Sequence, residues 1–385
     1  MPHGSKPSSP TPADGTVGHM DVPLPLPPPG LVLAVPGPAL FLAALVAACV
    51  CAAIGTLIKQ RPYSAQQRRA ALEGKVCLVT GGASGIGAEV CRQLGACGAR
   101  VTVWDVQLAA ARALAADIAD IGGQASAWRV DVTDRDAVRE AGAALRAHHQ
   151  GAEVFALVNN AGVVSGARLL DLTEAQIGRT MGVNVLAHFW TLQEFLPAML
   201  APPPASATGK RSKRSRSPSP AIALPEPQQP KQQRGGHVVT IASTMSFTHA
   251  SGVTDYTASK HAVWGMHECL RLELSQYRRE GSRRVDTSLV CPFATATGMF
   301  DGILFPWWSR PLLPTLTPEY VAGQVVDAIV AERGRPLVIM PWALRWLPFV
   351  LRLVLPVRLL DWCADLFGAT IAMNAFKGRR ARRAG

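Results

Sequence analysis

A short apolar run, Lys75-Val-Cys-Leu-Val-Thr80, passes straight into Gly81-Gly82-Ala83-Ser84-Gly85-Ile86-Gly87 and then into a helical pattern reaching about Ala96. Gly74 and Gly81 bound the run, so it reads as a buried strand. Strand, glycine turn and helix in that order leave few folds open. The helix start offers N–H groups and the positive end of the helix dipole, and glycines let the backbone turn sharply and approach a phosphate closely. A glycine-rich turn alone is weak evidence, but the strand–turn–helix setting is what dinucleotide binding requires. Gly81, Ser84, Gly85, Ile86 and Gly87 are therefore candidate cofactor contacts, in a G-x-x-x-G-x-G spacing.

The next strand, Arg100-Val-Thr-Val-Trp-Asp105, ends in an acid. A carboxylate there accepts hydrogen bonds from the adenosine ribose and repels a 2′-phosphate. No Lys or Arg lies within 81–87 or at Val106 and Gln107, so NAD is expected over NADP. The competing reading of Asp105 is a helix cap. A third strand, 125–130, leads to Asp131-Val132, with Asp131 placed for an adenine ring. A fourth, 153–158, runs into Asn159-Asn160-Ala161-Gly162. Asn and Gly suit a tight turn, and ligands bind at the carboxyl ends of strands in open parallel sheets. Strand and helix patterns alternate onward, which predicts one α/β domain: a doubly wound, Rossmann-type parallel sheet with helices on both faces.

Further along stand Thr240-Ile-Ala-Ser243 and Asp255-Tyr256-Thr-Ala-Ser-Lys260. Tyr256 and Lys260 are spaced i,i+4 and share one helix face. Free tyrosine has a pKa of about 10, too high for a base near neutrality. Lowering it by roughly 2 to 3 requires about 3 to 4 kcal/mol, which a nearby ammonium can supply. Such a phenol takes a proton from an alcohol or gives one to a carbonyl oxygen, with Ser243 holding that oxygen. Y-x-x-x-K by itself is a common surface pair; the surrounding segments give it weight.

Together these segments resemble the short-chain dehydrogenase/reductase family over roughly 72–341. The matching residues are Thr80-Gly-Gly-Ala-Ser-Gly-Ile-Gly87, Asn159-Asn-Ala-Gly162, Asn184 in Gly-Val-Asn-Val, Ser243, and Tyr256-x-x-x-Lys260. The resemblance implies Tyr256 as acid/base, Lys260 as the group that lowers the tyrosine pKa and binds the nicotinamide ribose, and Ser243 as the substrate-orienting hydroxyl. It implies that Asn184 holds a water in a proton relay, and that Asn160, Ala161, Gly162, Val132, Pro292 and Thr297 contact the cofactor. It also implies a dimer interface on the helices read at 173–200 and 254–277. Ala187-His-Phe-Trp190, Glu194-Phe-Leu-Pro197, Thr297-Gly-Met-Phe300 and Met373-Asn-Ala-Phe-Lys-Gly-Arg379 resemble the branch of membrane-associated retinol dehydrogenases and type-11 17-beta-hydroxysteroid dehydrogenases. One departure stands out: Pro292-Phe293 replaces the family's Pro-Gly, which gives up glycine's torsional freedom and adds an apolar wall.

The rest of the chain concerns location. Residues 39–58 carry no charge, and about 20 such residues cross a bilayer core. Lys59, Arg61, Arg68 and Arg69 follow the stretch, so the catalytic domain is expected on the cytosolic side. Pro36-Gly37-Pro38 leaves open a hairpin anchor within 31–58, after a disordered Pro-rich 1–30. Residues 341–367 mix Trp, Phe and Leu with Arg345, Arg352 and Arg358. That reads best as an interfacial amphipathic helix, with a helix roofing the substrate pocket as the competing reading; the two are compatible, since a lipid substrate could then enter from the membrane side. The 201–236 segment is rich in Pro, Ser and basic residues and reads as a disordered insertion.

Of the net charge of +12, the insertion carries +6 and residues 377–385 carry +5, so the catalytic body is near neutral. No nucleic-acid partner is expected, because the basic residues lie in tails rather than on a folded face. The eight cysteines make no C-x-x-C pair and the nine histidines show no ligand spacing, so no metal is expected. His148-His149 reads as a solvated helix end. The sequence thus predicts an NAD-dependent oxidoreductase for a hydrophobic alcohol or ketone, homodimeric, at an endoplasmic-reticulum or lipid-droplet surface. The alternatives are an NADP-dependent carbonyl reductase and a catalytically idle lipid-surface scaffold.

Overall fold

The computed structural model describes residues 62–202 and 234–376, apart from a few positions: 304, 310, 333, 346–347, 349–351, 353–354 and 375. The 1–30 and 31–58 segments and nearly all of the 201–236 insertion lie outside the described residues. Among the described residues, no helix is long and apolar enough to cross a membrane.

Seven strands form one parallel sheet in the order β3-β2-β1-β4-β5-β6-β7. They are β1 (Val76–Thr80), β2 (Arg100–Asp105), β3 (Gln124–Arg129), β4 (Val154–Asn159), β5 (Arg234–Ile241), β6 (Arg284–Pro292) and β7 (Leu337–Met340). Arg234, Gly235 and Gly236, read from sequence as the end of the insertion, begin β5. Both faces are covered, which is why β1 is buried at every position instead of alternating. Its Cys77 and Val79 face one apolar cluster, and Val76 and Leu78 face another.

The first cluster is closed by α1 (Ala65–Leu72), α2 (Gly85–Ala96), α3 (Leu108–Asp120) and α8 (Pro318–Val330). The second is closed by α4 (Arg135–His148), α6 (Ala187–Leu200) and α7 (Thr254–Arg279). Helix starts follow local capping chemistry. Thr173 and Gln176 form a capping box ahead of α5 (Glu174–Met181), and Thr317 caps α8 with Pro318 behind it.

The sequence pattern at 173–200 looked like one helix. It is two, α5 and α6, joined by a π-turn at Gly182–Leu186 that carries Asn184. His149 also departs from expectation: it is buried and shares a 3.0 Å hydrogen bond with Thr102. The amino-terminal helix is clamped to the body. Asp327 of α8, fully buried, takes Arg68 of α1 at 2.8 Å and the Tyr63 N–H at 3.3 Å, while the Arg335 guanidinium lies over the Tyr63 ring.

Leu344, Pro348, Arg352 and four positions of α9 (Val357–Leu366) and its end, Leu360, Cys363, Ala364 and Phe367, line the large cavity at the carboxyl ends of the strands. These residues roof the cavity, a place compatible with the interfacial reading of the same segment.

Candidate active site

The strand order reverses between β1 and β4, and the site is built at that switch. Thr80, the last residue of β1, accepts hydrogen bonds from the N–H groups of Asn160 and Ala161, both at 3.1 Å. The Asn160 amide donates back to the carbonyls of Thr80 and Gly81, each at 3.0 Å. Gly81 adopts φ +61°, and a Cβ on it would lie 2.7 Å from Ala161 Cα. A Cβ on Gly87 would overlap the Asn160 amide and the Gly81 carbonyl. The glycines are thus required by backbone contact between the two strand ends. Thr80 was not singled out from sequence as a site residue, although it opens the motif.

Asp105 is buried at the end of β2. It accepts the Ala83 N–H at 3.0 Å and the Gln107 N–H at 2.9 Å. The carboxylate therefore holds the glycine turn and tethers Gln107, the residue at the start of α3. Asp131 accepts the N–H and hydroxyl of Thr133 at 3.0 and 2.7 Å.

A cavity of about 1420 Å³ joins these groups to the rest of the site. Its wall includes Gly81, Ser84, Gly85, Ile86, Asp105, Asp131, Val132, Asn160, Ala161, Gly162, Ser243, Tyr256, Lys260, Pro292 and Thr297. Two of the expected residues, Gly87 and Asn184, stand behind the wall. Thr297 closes the far side: its methyl lies 3.1 Å from where a Gly85 Cβ would be. Phe293, in the position of the family's glycine, has no positive φ, so glycine's freedom is not needed there. Its ring packs on Phe305 at 5.1 Å and adds apolar wall.

Tyr256 and Lys260 lie on α7, both buried, with the lysine ammonium 5.6 Å from the tyrosine ring centroid. Tyr256 shares a side-chain hydrogen bond with Ser243 and meets the Phe300 ring edge-on at 5.7 Å. Lys260 donates to the Ile241 carbonyl at 2.9 Å. The expected lowering of the tyrosine pKa by lysine is not what this arrangement gives. Burial pushes Tyr256 up to about 12, with the Ser243 hydrogen bond pulling the other way. Burial brings Lys260 down to about 8. The ammonium is turned to a carbonyl on β5, and in an apolar surround both groups shift toward their neutral forms.

Asn184 is fully buried. Its amide donates to the Val163 carbonyl and to Ser259 Oγ, each at 2.9 Å, and its oxygen accepts the Val163 N–H at 2.8 Å. Ser259 in turn donates to the Tyr256 carbonyl at 2.7 Å. Thr180 donates to Asp255 at 2.7 Å. The π-turn and α5 are therefore bolted to the turn of α7 that carries the tyrosine and lysine. Sequence reading missed Thr180, Ser259 and Asp255 as supports; only their adjacency to the motif residues could have pointed to them.

The residues fit a nicotinamide dinucleotide: a backbone cradle that a Cβ would fill, a helix start, and a carboxylate at the second strand end. Residues 75–212 and 221–304 match the model of the short chain dehydrogenase family. The chain belongs to the short-chain dehydrogenase/reductase family. It is an oxidoreductase acting on alcohols. It is 31% identical to human retinol dehydrogenase 10 over 332 residues, covering 80% of this chain and 86% of that protein. Retinol dehydrogenase 10-B of Xenopus laevis is 30% identical with the same coverage, so the chain lies with the retinol dehydrogenase branch. A metagenomic short-chain oxidoreductase solved with NADP is 26% identical, with a TM-score of 0.51 over 70% of this chain and 96% of that one. A Burkholderia phymatum member solved with NAD shares the fold at 23% identity, with a TM-score of 0.56 over 72% and 93% of the two chains.

Proposed function

We propose that this protein is an NAD-dependent dehydrogenase for a hydrophobic alcohol, such as a retinoid, steroid or other lipid alcohol. One observation carries the reading: a single cavity has the glycine turn and Asp105 on one wall, Ser243, Tyr256 and Lys260 on another, and an apolar roof over both. The dinucleotide supplies a hydride acceptor when bound. Within the protein, Ser243 holds the substrate oxygen and Tyr256 takes its proton. Lys260 supplies positive charge beside the phenol as that proton moves. Asn184 pins the π-turn against Ser259 and so fixes the turn of α7 that presents Tyr256; both of its amide hydrogens are used in doing so. Asp105 would meet the adenosine ribose and favour NAD over NADP. Asp131 and Val132 would hold the adenine, and Pro292 and Thr297 the nicotinamide.

Similarity to retinol dehydrogenase 10 supports an apolar substrate, as do Phe293, Phe300, Phe305 and Phe367 on the cavity wall. The uncharged stretch 39–58, followed by Lys59, Arg61, Arg68 and Arg69, supports attachment through 31–58 to an endoplasmic-reticulum or lipid-droplet membrane, with the catalytic domain in the cytosol. Leu186, Phe189 and Leu272 are exposed on the π-turn, α6 and α7, which favours a homodimer through that face. The purified full-length protein in detergent, given NAD or NADP and a panel of retinol, sterols and fatty alcohols, tests the reading. Turnover of an apolar alcohol with a preference for NAD is expected. Preference for NADP, or no turnover of any member of the panel, rejects it.

A further inference from the structure

Beyond α9 the chain does not leave the body; residues 368–374 run along the cavity as a strap, and Phe376 packs at its end. The Ala369 carbonyl accepts the Ser251 N–H at 2.9 Å. Met373 sits on Gly252, so closely that a Cβ there would be 2.9 Å from the Met373 Cβ. The Phe376 ring occupies the place where a Gly166 Cβ would stand, and Gly166 has φ +68°. At the other end Gly368 abuts Pro306, next to the Trp308–Phe367 ring pair at 5.1 Å. Phe367, Ala369, Ala372 and Met373 face the cavity.

The two loops beneath the strap belong to the catalytic apparatus. Gly252 lies two residues before Thr254, where α7 starts, and the intervening Val253 is buried on the cavity wall. Gly166 follows Val163 and Ser165, which are held by Asn184 and Thr180. The strap therefore bridges the loop that leads into Tyr256 and the loop that leaves Gly162. A ring set into a glycine saddle is held by shape, since any side chain at Gly166 would displace it. The cavity, at about 1420 Å³, is larger than the 300–1,000 Å³ usual for one ligand, so it has room for an extended substrate beside a dinucleotide.

We propose that the 368–376 strap is the specificity wall of the substrate site, with Phe376 and Met373 as positioning residues, and that it selects an extended apolar alcohol over a compact one. The proposal rests on the reading that an apolar alcohol is the substrate. Phe376 seats the wall in the Gly166 saddle and Met373 ties it to the start of α7. Neither residue touches the reacting atoms.

The test uses full-length protein with Phe376→Ala, Phe376→Leu and Met373→Ala. Four quantities are read: kcat and KM for a sixteen-carbon alcohol and for cyclohexanol, dinucleotide affinity by tryptophan quenching, affinity for the uncharged apolar dye Nile red, and Tm. F376A is expected to raise KM for the long alcohol by about 10-fold and to weaken Nile red similarly. Its effect on cyclohexanol and on the dinucleotide should stay within about 2-fold, and F376L should restore most of the loss. M373A should move the same quantities in the same direction by a smaller factor. Parallel loss on both alcohols and the dinucleotide, together with a lower Tm, would make the strap merely structural and overturn the proposal. So would wild-type values throughout. If the wild type oxidises neither alcohol, the substrate reading fails on its own, and the Nile red arm still decides the strap: unchanged dye affinity in F376A rejects it.

Discussion

The two ends of the cavity are built on different physical terms. At the dinucleotide end the wall is backbone held close: the Thr80 hydroxyl and the Asn160 amide bond main-chain groups across two strand ends, and glycines permit contact that no side chain allows. At the substrate end the wall is side chain against side chain, with Phe293 on Phe305, Trp308 on Phe367 and α9 above. Backbone contacts and buried hydrogen bonds accept few residue types. Apolar packing accepts many of similar volume. A position in the first wall is therefore brittle, and one in the second is tunable.

Mutations can break this contrast, and the largest effect belongs to chemistry between the two walls. Tyr256→Phe should lower kcat by about 10³-fold while dinucleotide affinity, read by tryptophan quenching, stays unchanged. Retained turnover would remove the tyrosine from the mechanism. Next comes the brittle wall. Asp105→Arg should weaken NAD by about 30-fold, since it removes the acceptor of two backbone N–H groups as well as the ribose partner, and should improve NADP. Equal affinity for both cofactors before and after the change would remove Asp105 from the choice. The tunable wall should respond less. Phe305→Leu should shift KM among apolar alcohols by about 3-fold, with no change in dinucleotide affinity. A loss of cofactor binding there would erase the contrast.

The same asymmetry extends to pH. With Tyr256 raised to about 12, the proton-accepting phenolate fraction grows across the whole working range. Alcohol oxidation at saturating cofactor should therefore climb from pH 7 to pH 9, and a flat initial-rate profile would show that the phenol is not the base. Stability moves by a separate route. Burial holds His188 down to about 3 and His267 down to about 4. The unfolded chain binds more protons than the folded one between these values and about 6.5, so stability is full above 6.5 and is lost as pH falls. A Tm at pH 4.5 lower than at pH 7.5 by on the order of 10 °C is expected from calorimetry; an unchanged Tm would mean these rings are protonated in the fold.

The sequence was most legible where the wall is brittle. The glycines at 81–87, Asn160, Ser243, Tyr256 and Lys260 announce themselves because few other residues do their local job, and the alternation of strands and helices between them gave the parallel sheet. What stayed hidden depends on partners distant along the chain. The π-turn at Gly182–Leu186 has no periodicity of its own; it exists because Asn184 finds Val163 and Ser259. The roof could not be told from an interfacial helix, since Trp, Leu and Arg suit both a membrane face and a pocket lid. His149 looked solvated because its partner Thr102 lies on β2, far away along the chain. The expected effect of Lys260 on Tyr256 failed for a related reason: spacing gave the distance along the helix, but not the Ile241 carbonyl that turns the ammonium.

The Asp327 clamp on α1 has a mechanical consequence. Leu72 hands the chain to β1 at the amino edge of the sheet, where the Lys75 N–H bonds the Leu72 carbonyl, and Tyr63 is fixed nearby by Asp327 and Arg335. The cavity opens at the opposite, carboxyl edge. Whatever pulls on the chain ahead of Tyr63 — a bilayer segment, a fusion partner or a resin — therefore grips the protein like a cup held by its base. Tyr63 and the mouth lie at opposite edges of the sheet, about one strand length apart, ~17–20 Å. A tether at this end leaves the opening unobstructed, and a greasy molecule arriving from the same support has that height to climb.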